Sequence, residues 1–183
     1  MKTAPSGLQR GAAITEDGRY RYSLTRSWDP DVEQTWELHR PVVWIGLNPS
    51  TADGSVDDPT IRRCIRFTRD MGHCHLTMVN LFAYRATDPG TLIGARAIGV
   101  DIVGPLNDQV IMAAAEGASV VIAAWGAQRF ARDRTAAVLS LIDPEGGTPL
   151  AGTPVTCLGR TADGHPLHPL HIKSDTPLEV LRG

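Results

Sequence analysis

Apolar positions along the chain fall into short unbroken runs separated by segments of helical period. PVVWIGLN (41–48), LTMVNLF (76–82), SVVIAAW (119–125) and PVTCLG (154–159) are apolar and rich in β-branched residues, the pattern of strands covered on both faces. RYRYSLTRSW (19–28) alternates instead. It places Tyr20, Tyr22, Leu24 and Arg26 on one side and predicts a half-exposed edge strand. Three amphipathic helices lie between the apolar runs. Asp57-Asp58-Pro59 supplies an acidic cap and a proline at the first helical position, so a helix starts there and runs to about Met71, where Gly72 stops it. Ile61, Cys64, Ile65 and Thr68 face inward on it, and Arg62, Arg66 and Arg69 face outward. Segments from Pro105 to about Gly117 and from Ala127 to about Ile142 predict two more helices. The second buries Phe130, the stem of Arg134, Val138 and Leu141.

Residues 29–40 read as a polar connection holding Trp36, residues 1–18 as a flexible arm, and 19–183 as a single α/β domain. Buried strands alternating with helices imply a mostly parallel sheet with helices on both faces. Such sheets bind ligands at the carboxyl ends of their strands.

A chain of 183 residues, 42% of them apolar, buries a sizeable core without metal or disulfide staples. No apolar run reaches the length of a membrane span, and the opening MKTAPSGLQRG lacks an apolar signal core, so neither a membrane nor secretion is indicated. Three cysteines, at 64, 74 and 157, form no framework and fit a reducing cytoplasm. A net charge of −2 excludes a strongly basic nucleic-acid clamp while leaving room for a local patch. The basic residues are almost all arginine, the side chain suited to bidentate phosphate or carboxylate contacts.

Candidate chemistry sits in the segments after the strands. In GLNPSTAD (46–53) Asn48 ends a strand, and Ser50, Thr51 and Asp53 follow in a loop leading to the helix start at Asp58. Backbone N–H groups at such a start favour an anion. The glycines and lysine of a Walker loop are missing. Asn80 lies inside an apolar strand, and a buried amide that needs partners can read a nucleobase edge or tie down a loop. Tyr84 and Arg85 follow it and can stack on or clamp a planar anionic ligand. Trp125-Gly126 ends the third strand where a glycine permits close approach. In GHPLHPLH (164–171) three histidines recur at intervals of three. The prolines forbid a regular helix there, so the imidazoles need not converge on a metal. One of them, His165 or His168, suits the role of general acid or electrostatic helper. His73-Cys74-His75 with Cys64 matches no standard zinc spacing. No metal or other cofactor is expected. No nucleophile elbow is present either.

The blocks RYSLTRSW, VVWIGLNPSTAD, DDPTIRRCIRF, VNLFAYRATDP, AAWG and GHPLHPL occur in this order from Arg19 to about Ile172. They resemble a bacterial and phage family known as a conserved domain of unknown function. That family in turn is similar to the uracil-DNA glycosylase superfamily. The resemblance implies a three-layer α/β/α fold with a central, mostly parallel four-stranded sheet. It implies that Asn48 in GLNPS positions an attacking water and that Asn80 reads the base. It further implies that His168 in His-Pro-Leu, or His165 as second candidate, stabilises the leaving base. The chain departs from the superfamily in lacking an aromatic after GLNPS and a serine-rich continuation after His-Pro.

These readings give a domain that binds a nucleobase, nucleotide or nucleic acid, expected to be an N-glycosidase. Asp53 and Asp58 are candidates for the general base, and Arg62, Arg66 and Arg69 for phosphate contacts. Two other classes remain open. One is a non-catalytic nucleotide-sensing module. The other is a hydrolase or transferase of a small phosphorylated molecule that uses the Ser50-Thr51 loop.

Overall fold

The computed structural model describes residues 8–28, 40–50, 52–144, 152 and 154–181. Thr51 and most of the 29–40 connection, with Trp36, lie outside the described residues. The four apolar runs form β3 (Val42–Gly46), β4 (His75–Asn80), β5 (Val120–Ala123) and β6 (Val155–Cys157). They pair in parallel in the order β4-β3-β5-β6. Alternate residues of β3 enter two separate cores: Val43 and Ile45 join one, and Val42 and Trp44 the other. A strand covered on both faces needs apolar side chains at every position, which is why these runs do not alternate.

The sheet is larger than the four parallel strands expected. It is a mixed sheet of seven strands, extended at both ends by antiparallel pairing. β1 (Gln9–Ile14) and β2 (Arg21–Ser27) form a hairpin beside β4, and β7 (Glu179–Val180) pairs with β6. Two expectations change with it. Residues 9–14, read as part of a flexible arm, are a strand. The 19–28 segment is an interior strand flanked by β1 and β4, not an edge. Its alternation is interrupted by a register shift between Ala13 and Ile14. Leu24 joins the core beneath the first helix, whereas Tyr22 stacks on Tyr20 at 6.0 Å between ring centroids.

Among the described residues there are four helices: α1 (Pro59–Asp70), α2 (Pro89–Ala97), α3 (Asn107–Glu116) and α4 (Arg132–Ile142). α1 begins as its sequence dictates. The Asp58 carboxylate accepts the Ile61 N–H at 2.8 Å and Pro59 occupies the first turn. Ile61, Cys64, Ile65, Phe67 and Thr68 are buried and pack with Trp44 and Met78 in one core. α2, α3 and α4 contribute Leu92, Ile111 and Val138 to the other. α2 was not foreseen, because TDPG at its start reads as a turn. No helix among the described residues is long and apolar enough to cross a membrane.

Candidate functional site

The carboxyl ends of β3, β4 and β5 open onto a cavity of about 590 Å³. Asn48, Ser50, Asp58, Asn80, Trp125 and His168 all line it. The loop after β3, the end of β4, the end of β5 and the loop after β6 thus contribute to one space, as the position of ligands in parallel sheets leads one to expect.

Asn48 is anchored through its amide nitrogen. Its Nδ2 donates to the carbonyl of Ala86 at 2.7 Å and to that of Pro49 at 3.1 Å. This ties the β3 loop to the β4 loop and leaves Oδ1 without a donor among the described residues. Asn80 is almost completely buried. Its Oδ1 accepts from Arg21 Nη2 at 3.3 Å. A guanidinium only donates, so the amide oxygen must face Arg21 and the NH2 must face away. Gly46 stands opposite Asn80 in the β3–β4 register. A Cβ there would lie 2.6 Å from Asn80 Nδ2, so the glycine leaves the space that the amide fills.

Asn107 supports this end of β4 from behind. It is fully buried, and its Nδ2 donates to the carbonyls of Asn80 and Leu81, both at 3.0 Å. Arg134 Nε donates to the same Leu81 carbonyl at 2.7 Å. In the sequence Asn107 resembles an ordinary helix-cap asparagine. Leu106 holds the cap position instead and Asn107 is the first residue of α3, where a polar residue is too common to signal a buried support.

His168 precedes a single 3-10 turn, Pro169–His171, and its Nδ1 accepts the Leu170 N–H at 3.4 Å. A ring nitrogen that accepts carries no proton, so the neutral ring bears its hydrogen on Nε2 and can donate from there. Burial holds the His168 pKa below its ordinary value, with the neighbouring His171 adding to the shift and Asp58 opposing it. The ring is therefore a neutral donor at pH 7. Arg63, not singled out in the sequence, fixes this turn to α1. It donates from Nε to the Pro169 carbonyl at 3.4 Å, from Nη1 to Ser174 Oγ at 3.0 Å and from Nη2 to the Ile172 carbonyl.

Arg21 is the other residue that the pattern concealed. It sits on β2, lines the cavity and is only 2% exposed. Besides Asn80 it donates to the Ala52 carbonyl at 2.6 Å.

Seven candidates lie outside the cavity lining. Asp53 folds back on its own loop, accepting from the backbone N–H groups of Ser55 and Val56 and from the Ser55 hydroxyl. Those bonds hold its carboxyl at about 2, too weak a base for proton abstraction at neutral pH. Tyr84 packs edge-on against Tyr20, 6.1 Å away. Arg85 donates to the Gly18 carbonyl and so braces the β1–β2 turn. His165 pairs with Thr161 through its backbone. The outward arginines of α1 have local partners: Arg62 the Asp57 carbonyl, Arg66 the Asp70 carboxylate at 3.7 Å, and Arg69 the Trp28 ring at 4.8 Å. Among the described residues no cluster of three or more His, Cys, Asp or Glu is placed to hold a metal ion.

A family model described as protein of unknown function (DUF1643) matches residues 21–170. The chain belongs to this family. The matched span begins at Arg21 and ends at Leu170, so it includes every residue that lines the cavity of this DUF1643 member except His171. No curated protein and no solved structure matches the chain.

Proposed function

We propose that the cavity binds a nucleobase joined to its sugar and that the domain is an N-glycosidase, with the three-layer α/β/α architecture of the uracil-DNA glycosylase superfamily. The observation that carries this reading is the convergence of Asn48, Asn80 and His168 from three separate strand ends onto one cavity. Its volume suits a nucleoside-sized ligand. The parallel set β4-β3-β5-β6, with helices contributing to cores on both faces, supports the architecture.

The chemistry needs a water positioned at the anomeric carbon, a base for its proton and a donor to the departing heterocycle. Asn48 Oδ1 is the acceptor that orients the water. Asp58 has one carboxylate oxygen engaged as the α1 cap, and its other oxygen takes the water's proton. His168 Nε2–H donates to the base as the C–N bond breaks and the electron pair moves onto the ring, an oxyanion-type stabilisation. Asn80 Nδ2 donates to the edge of the base. On a DNA substrate the base must first leave the stack, at a cost of roughly a few kcal/mol.

The test is chromatographic detection of free base after incubation with nucleosides, nucleotides and oligonucleotides carrying unmodified and modified bases. Release that disappears in Asn48→Ala and His168→Ala, with both variants still folding cooperatively and Asn48→Ala losing some Tm because its tie between the β3 and β4 loops is gone, is the expected result. Binding without turnover would identify a nucleotide-sensing module instead. No release and no binding of any of these compounds would overturn the reading.

A further inference from the structure

Two arginines among the described residues are fully buried, Arg21 and Arg26, and they are satisfied in opposite ways. Arg26 meets the Asp57 carboxylate at 2.6 Å. Arg21 has no carboxylate within 4.0 Å among the described residues, and its two hydrogen bonds go to neutral oxygens, the Ala52 carbonyl and Asn80 Oδ1. Its Nε–H is buried with no partner. A second buried donor without a partner, the indole N–H of Trp125, belongs to another residue of the cavity wall. Buried polar groups are nearly always hydrogen-bonded, and a buried cation without an anion costs several kcal/mol. Two residues that line one cavity thus carry buried donors without partners, and one of the two is a cation with no carboxylate beside it; the charge of Arg21 at the cavity is what an acceptor would answer.

Burial lowers the Arg21 pKa to about 10, with the charge of Asp58 opposing the shift, Arg85 and Arg26 adding to it and Asp53 opposing it. Arg21 therefore keeps its charge at neutral pH. Asp58 and Asp53 act on it only from a distance.

We propose that the Arg21 end of the cavity is an anion-binding subsite that takes an oxyanion of the ligand, either a carboxylate or ionised oxygen on the heterocycle or a phosphate. Arg21 supplies the charge. The inference rests on the cavity being the ligand site, as the nucleobase reading does. It adds that the ligand is negatively charged where it meets Arg21.

Calorimetric titration of the full chain with matched probes tests it. Orotate and its neutral isostere orotamide differ only in charge on the ring substituent; uridine 5′-monophosphate and uridine differ by the phosphate; inorganic phosphate is the anion alone. The anionic member of one pair is expected to bind at least about tenfold more tightly than its neutral partner, and which pair does so identifies the source of the charge. The preference should vanish in Arg21→Met and survive in Arg66→Gln, which removes an exposed arginine outside the cavity lining. Asn80→Asp provides a second variant that keeps Arg21 in place. A carboxylate at this position satisfies the guanidinium internally, so it should abolish the preference while raising Tm. Equal binding of charged and neutral probes, or a preference that persists in Arg21→Met or Asn80→Asp, would overturn the subsite, as would failure of every probe to bind. Arg21-dependent binding of inorganic phosphate, with no heterocycle binding, would uphold the subsite and overturn the nucleobase reading.

Discussion

Arg26 and Arg21 lie on the same strand and show how one residue type serves two ends. Arg26 is enclosed by the Asp57 carboxylate and by the carbonyls of Thr25, Gly11 and Asp53, so it joins the β1–β2 hairpin to the loop before α1. Removing its anion leaves a buried charge uncompensated. Asp57→Asn should lower unfolding free energy by about 3 kcal/mol, read from urea denaturation, whereas a loss below about 1 kcal/mol would mean that the pair is solvated. His168 gives a residue-scale prediction of a different kind. Its folded pKa lies below the ordinary 6.5, so the unfolded chain binds more protons than the folded one between those two values. Stability should therefore fall as pH drops below about 6.5 and level off once the folded ring is also protonated. Tm profiles between neutral and acid pH should show this loss in the wild type and a flatter slope in His168→Gln; parallel profiles would remove His168 from the account. Asn48, Asn80 and His168 were legible in the sequence because a polar residue ending an apolar run, or a histidine in a proline-rich loop, stands out. Arg21 was not. A charge next to an alternating pattern reads as solvent-facing, and only the register shift beside it, invisible in sequence, carries it inward.

At the level of elements, the four parallel strands and α1 declared themselves through continuous apolar runs and through an aspartate–proline start. β1 did not, because its residues are mostly half-exposed or exposed and carry no periodic signal. α2 was hidden by a turn-like beginning and by two glycines within nine residues. The turn bearing His168 depends on an element contact that no local pattern reveals. Arg63 rises from α1, lies over the Phe67 ring at 4.8 Å and donates to Pro169, Ser174 and Ile172 of the turn region. It is a positioning residue, acting on the ligand only through His168. Arg63→Met keeps the stem against Phe67 and removes the donors. Faster amide exchange across residues 168–174, weaker ligand binding and a fixed exchange rate in β3 and β4 are the expected outcome. Uniformly faster exchange throughout the domain would show that Arg63 is a general stabiliser rather than a clamp on the turn.

The molecule as a whole is a sheet whose antiparallel additions lie at its two sides, while its parallel centre converges on one edge. Asn48 Nδ2 already links the β3 loop to the β4 loop, and Arg21 links β2 to both Asn80 and Ala52. The loop after β5 and the His168 turn meet at Gly126, where a Cβ would lie 3.7 Å from that of His168. These segments come from distant parts of the chain, and the cavity between them is where they fail to touch. A ligand filling it would supply the missing contacts to all of them together. At about 100 times its Kd such a ligand adds about 2.7 kcal/mol to stability, which for a domain of this size raises Tm by roughly 5–10 °C. Protection against amide exchange should increase in step at residues 46–50, 58–61, 80–87, 125–128 and 161–171, segments that bound the cavity. The edge strands β1 and β7 should gain only what global stabilisation gives them. Protection limited to a single one of these segments, with no rise in Tm, would mean that the strand ends act separately and that the cavity is not one binding site.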